Sequence, residues 1–239
     1  MNIDNILSKP KAELHIHLEG SLDPSTLIKL ARINNVNIKY KTVEDVQNAY
    51  KFSNLQEFLD IYYQGMSVLI TEQDYYDLAF EYFSNANNDN ITHIECFIDP
   101  QAHIERGISL KTVFAGLDRA IVDAKLQFDI TVSTIVCFLR HLGQDPALRA
   151  FDGLMAHRQS FVGIGLDSSE LGFPPSMFKE LYRKAEQEKL FLVAHAGEEG
   201  PVDYVWEAID ILAVDRIDHG NTMVIPPLLV ALKNTFISR

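Results

Sequence analysis

Three stretches of this 239-residue chain end in side chains suited to binding a divalent cation. His15 and His17 flank Ile16 in an extended run, and strand alternation points both imidazoles to one face. Two neighbouring imidazoles suit a metal such as zinc, although two histidines on a half-exposed strand have the same spacing. His195 closes the apolar run LFLVAHA, and Glu198 follows in a glycine-flanked turn where it could face the same centre. A histidine buried at such a strand end needs a polar partner, either a metal or a backbone carbonyl. Asp218-His219-Gly220 closes a later run in the same way. Asp167, Ser168, Ser169 and Glu170 add polar groups after another run, where a serine helix cap is an equal reading. Histidines ending three separate strands are hard to dismiss as coincidence. The other histidines, His93, His103, His141 and His157, show no recruiting spacing and read as structural or surface residues.

The elements that must position these groups are legible as alternating patterns. Apolar, β-rich runs cover Glu13–Leu18, Ile91–Asp99, Ile130–Phe138, Phe161–Asp167, Leu190–Ala196 and Arg216–Gly220. Their nearly continuous hydrophobicity is that of parallel strands buried on both faces. Helical spacing marks Leu55–Leu69, Asp74–Phe83, Leu110–Leu126, Pro174–Glu188 and Asp203–Leu212. Strand alternating with helix means βα units and an α/β fold. The stretch between the first two strands is about twice a usual crossover of roughly 30 residues, so it holds extra helices. No Gly/Ser/Pro-rich linker interrupts the chain, which reads as one domain over residues 1–239. Six strands fit a smaller open sheet, or a (β/α)8 barrel with about six of its eight units. In such folds active sites gather at the carboxyl ends of the strands, where the histidines lie.

Composition narrows the partners. The formal net charge of −12 disfavours nucleic acid and leaves a neutral small molecule as the easier ligand. Cys96 and Cys137 lie in apolar runs and read as buried free thiols of a reducing compartment; no C-x-x-C pair offers a thiolate zinc site. The N-terminal residues lack a secretory apolar core, and no run reaches membrane-spanning length, so the expected location is cytoplasmic, with no membrane partner.

As an ordered set, PKAELHIHLEGSLDP, GLDSSELGFPP, HAGEEGP and RIDHG resemble the adenosine/adenine deaminase family of amidohydrolases. The similarity also takes in FLDIYYQGMSVLITEQDYYDLAFEYF and IDPQAHIERGIS. The resemblance implies a TIM-barrel-like (β/α)8 amidohydrolase fold, incomplete here. It also implies one zinc per chain, held by His15, His17 and His195. Glu198 would be the proton shuttle, and His219 would orient or deprotonate the attacking water. Glu19 stands where adenosine-type members carry an aspartate that meets ribose, and it would crowd a sugar; this points to the adenine-type branch. Glu19, Asp167 and Glu170, the last by side chain or backbone, would line the purine site. The implied reaction is hydrolytic deamination of adenine to hypoxanthine and ammonia in purine salvage.

Two alternatives stay open: an adenosine-type or other amine aminohydrolase, and an inactive zinc- or purine-binding remnant. The family's eighth strand carries a paired-aspartate motif, whereas here no Asp or Glu follows Asp218, and the tail from Gly220 looks unlike the family. The chain is therefore expected to be C-terminally truncated. Unpaired barrel edges would invite self-association.

Overall fold

Local chemistry sets where the helices begin. In the computed structural model, which describes residues 8–223, a capping residue precedes each of five helices. Asp23 caps α1 (Pro24–Ile33) by accepting from the Ser25 amide, with proline at the first helical position. Thr42 and Asp45 form a reciprocal capping box on α2 (Val43–Ala49). Asn54 caps α3 (Leu55–Met66), and Thr71 with Asp74 boxes α4 (Glu72–Asn88). After α5 (Pro100–Glu105), Ser109 caps α6 (Leu110–Phe128), which ends at Asp129 in the left-handed region, φ 56°. These four helices α1 to α4 fill the long stretch between the first two strands, as its length required.

Six strands alternate with the helices: β1 (Lys11–His17), β2 (Ile91–Ile98), β3 (Thr131–Leu139), β4 (Gly163–Asp167), β5 (Phe191–Ala196) and β6 (Arg216–His219). Strand order equals chain order, and the recorded neighbours β1–β2, β2–β3, β4–β5 and β5–β6 are parallel. This is the α/β pattern of a (β/α)8 barrel, with six repeats among the described residues. The last six residues of β3, all of β4 and five of six in β5 are buried, as parallel strands covered on both faces must be.

The chain forms two compact units. The first holds residues up to 136 together with 154–162. Helices α4 and α6 pack closely in it, because a Cβ at Gly116 would lie 2.3 Å from the Glu72 carbonyl oxygen. Phe83, Phe97 and Phe114 are fully buried there. The second unit holds 137–153 and 163 onward. It contains α7 (Gln144–Leu154, but for its last residue), α8 (Lys179–Gln187) and α9 (Val202–Asp210). Phe138, Leu166, Tyr182 and Val205 form its core, and the Tyr182 hydroxyl donates to the Val193 carbonyl at 2.5 Å.

Several boundaries depart from the sequence pattern. The run from Phe161 becomes strand only at Gly163, where a Cβ would meet the Phe191 carbonyl oxygen at 2.7 Å. The helix expected over Pro174–Glu188 is a 3₁₀ turn, Pro175–Phe178, followed by α8. Both cysteines are buried and free, and among the described residues no helix is long and apolar enough to cross a membrane. The stretch from residue 224, set apart from the family above, lies outside the described residues.

Candidate active site

The second unit gathers most of the expected chemistry. Buried β5 delivers His195 at its carboxyl end, and Gly197 at φ +72° turns the chain at once. That turn presents Glu198, with its carboxylate 3.5 Å from Nε2 of His219 at the end of β6. The His195 and His219 rings stand nearly perpendicular, centroids 4.7 Å apart. Donor atoms of His195, Glu198 and His219 all lie within 4.8 Å of one another. Imidazole and carboxylate donors converging at this range fit a zinc-type cation.

The surroundings shift the protonation of two of these groups. The Glu198 carboxyl is pushed up from an ordinary 4.5 to about 7, chiefly by burial and then by Glu170, Glu199 and Asp167, with Arg140 opposing. It therefore still carries a proton in part of the molecules at neutral pH. Burial pulls His219 below the ordinary imidazole value, against the pull of Glu170, so its neutral form, able to accept a proton, prevails.

The first unit holds the other pair. His15 and His17 lie on β1 with ring centroids 5.7 Å apart, and both pack on Phe97, at 5.1 and 5.0 Å. They share one face of the strand, as alternation requires. Asp167 is buried at the end of β4 in the second unit, and Ser168 after it takes φ 71°.

Two residues expected at the purine site have carboxylates bonded within the fold. Glu19 is buried in the 3₁₀ turn Leu18–Ser21. Its Oε1 accepts from the Asp99 amide (2.9 Å) and lies 3.0 Å from His103 Nε2, while Oε2 accepts from the Tyr62 hydroxyl at 3.3 Å. Burial alone would push its carboxyl up, but the hydrogen bond and charge of His103 and the amides hold it below the ordinary value. Glu170 is fully buried, and its oxygens accept from the amides of Gly197, Glu199 and Gly200 at 2.7, 2.8 and 2.7 Å. Both carboxylates accept from protein donors, because buried charge must be compensated within the fold.

One buried charge was missed by the sequence reading, and two histidines read as structural or surface residues make internal contacts. Arg140, fully buried, donates from Nε to the Phe173 carbonyl and from Nη1 to that of His195, both at 2.9 Å. Its signal was a charge closing the apolar run STIVCFL, since arginine is rarely buried without partners. His103, set aside as structural or surface, is the buried partner of Glu19, with Tyr75 and Arg106 on its Nδ1. His141 meets the Ser168 hydroxyl at 2.8 Å. Neither histidine has a local spacing that would reveal these contacts.

Comparison with known proteins agrees with the motifs. An adenine deaminase of Psychrobacter cryohalolentis is 52% identical over 218 residues, 91% of this chain and 66% of its own length. The chain thus spans about two thirds of the curated relatives it matches. The crystal structure of adenine deaminase from Arthrobacter aurescens superposes with a TM-score of 0.92 at 41% identity, over 95% of this chain and 70% of that one. An amidohydrolase from Burkholderia ambifaria, solved with bound Zn, gives 0.84 at 29% identity, over 95% of this chain and 63% of that one. The fold is thus the TIM-barrel-like amidohydrolase type. The family model described as adenosine deaminase matches residues 10–235, reaching into the tail that the motifs had set apart, and the chain belongs to that family.

Proposed function

We propose that this chain is a single zinc-dependent adenine aminohydrolase domain, converting adenine and water to hypoxanthine and ammonia. The observation that carries the reading is Glu198 beside His219, with its carboxyl pushed up to about 7 in a half-buried turn. The 52% identity to an adenine deaminase selects the adenine branch over adenosine-type relatives. His15, His17 and His195 would hold the one zinc ion, which would supply Lewis-acid activation of water. Neutral His219 accepts a proton from the attacking water. Protonated Glu198 donates to N1 of the purine, drawing electrons from C6 as water adds there; the proton taken by His219 passes to the amine, which departs as ammonia, and the C6 hydroxyl returns a proton to Glu198. Glu19, Asp167 and Glu170, the last by its backbone, would line the purine site, with Glu19 held by its bonds to Asp99 and His103. The substrate is a free purine base rather than nucleic acid, in keeping with the net charge of −12. The setting is cytoplasmic purine salvage.

A second reading is a zinc- and purine-binding chain without turnover. One assay separates them. Zinc-loaded protein is given adenine or adenosine, and purine absorbance and ammonia release are followed. Turnover of adenine that Glu198→Gln abolishes supports the first reading. Bound zinc without turnover supports the second, and preference for adenosine would overturn the branch assignment.

A further inference from the structure

The 197–200 turn has no regular secondary structure of its own, yet three of its amides point at one buried carboxylate. Glu170 Oε1 accepts from Gly197, and Oε2 accepts from Glu199 and Gly200. Gly200 presses directly on this group: a Cβ there would lie 2.7 Å from Glu170 Cδ. Behind the carboxylate stands Arg140, 4.0 Å from Oε1, both side chains being essentially inaccessible. Arg140 in turn bonds the carbonyls of Phe173, in the loop after β4, and of His195, at the end of β5. Glu170 and Arg140 thus span the ends of β3, β4 and β5 within one unit.

The geometry points to Glu170 as a positioning residue for Glu198, with Arg140 anchoring it: the pair fixes the turn that aims the Glu198 carboxylate. A carboxylate accepting from three amides of one turn is a charge-assisted arrangement stronger than neutral hydrogen bonds, and the Arg140 charge beside it offsets its burial. The turn has no regular hydrogen-bond ladder; the Thr222 amide donates to the Gly197 carbonyl at 3.2 Å, and the Glu170 grip adds three bonds that hold the backbone on both sides of residue 198. The assignment deepens the reading above and rests on it for the role of Glu198, but the brace itself is observable without turnover.

Amide hydrogen exchange, resolved residue by residue by NMR on the full chain, tests it. In the unsubstituted protein the amides of Gly197, Glu199 and Gly200 should be protected, although the Glu199 side chain faces solvent. Glu170→Gln keeps the shape but turns one acceptor into a donor. It should speed exchange at these amides by roughly tenfold or more, the factor for one lost charge-assisted hydrogen bond, and leave Leu192 and Val193 within about twofold. Arg140→Lys should produce a smaller loss at the same positions. With adenine as substrate, Glu170→Gln should lower kcat and leave KM within about twofold. Unprotected amides in the unsubstituted chain would overturn the proposal without any variant. Equal exchange in Glu170→Gln, or acceleration spread evenly through β5, would overturn it too. A rise in KM alone would return the Glu170 side chain to the purine. Absence of turnover in the unsubstituted protein would instead count against the functional reading, and the exchange data would still decide the brace.

Discussion

The raised Glu198 carboxyl makes a stability prediction that needs no substrate. In the unfolded chain this group titrates near an ordinary 4.5, and in the folded chain near 7. The folded state therefore binds an extra proton between those values, and stability must fall as pH rises through that window. The gap corresponds to roughly 3 kcal/mol at about 1.4 kcal/mol per pH unit. A fifth of the side chain is open to solvent, 21%, so water screens part of this. We expect about 1–2 kcal/mol. Glu198→Gln removes the ionisable group and with it the penalty. Urea unfolding of both proteins, with chelator present, should give a stability difference that is small at pH 5, grows in favour of the variant towards pH 7, and is constant from there to pH 8.5. The slope with pH is the readout, since a fixed offset from altered packing cancels. A difference independent of pH, or one that shrinks as pH rises, would refute a protonated, partly desolvated Glu198.

Activity on adenine should decline as pH rises through about 7, where Glu198 loses its proton, and a pH–rate profile checks this. His103→Ala should destabilise the chain by about 3–5 kcal/mol in urea, because it leaves the buried Glu19 carboxylate without its partner. The Glu19 contribution is present above the ordinary carboxyl range and is lost as pH falls through its lowered folded value, so the unsubstituted chain should weaken in acid. His15→Ala and His195→Ala should each lower zinc from about one per chain to well under half after dialysis, measured by elemental analysis; unchanged zinc would remove that residue from the metal set. Gly200→Ala should cost about 1–3 kcal/mol, since its Cβ would collide with Glu170, and a neutral effect by thermal melting would contradict the tight turn.

Much of this architecture was written locally. Continuous apolar runs at β2, β3 and β5 revealed buried parallel strands, and threonine, asparagine and serine caps marked helix starts. The histidines were visible because each closes such a run. Carboxylate roles were not legible in the same way. Glu19 and Glu170 look like rim residues in sequence, but their partners lie 80 or more positions away for Asp99 and His103, and 27 to 30 away for the turn amides. Arg140 was passed over because its partners are carbonyl oxygens, which every residue offers and no motif marks. Helix α1, capped by Asp23 with Pro24 at its first position, was covered only by the expectation of extra helices between the first two strands.

The backbone at two strand ends carries a further consequence. Ser168 and His219 both sit at positive φ, 71° and 72°, a conformation that costs side-chain-bearing residues about a kcal/mol or more. At 168 glycine or asparagine relieves the backbone, at the loss of the hydroxyl that meets His141. At 219 the same change would discard the imidazole. Durability can therefore be gained at 168 for one hydrogen bond, while at 219 it is set against the imidazole proposed above to act on water, and lineages under thermal pressure should diverge at the first position while holding the second.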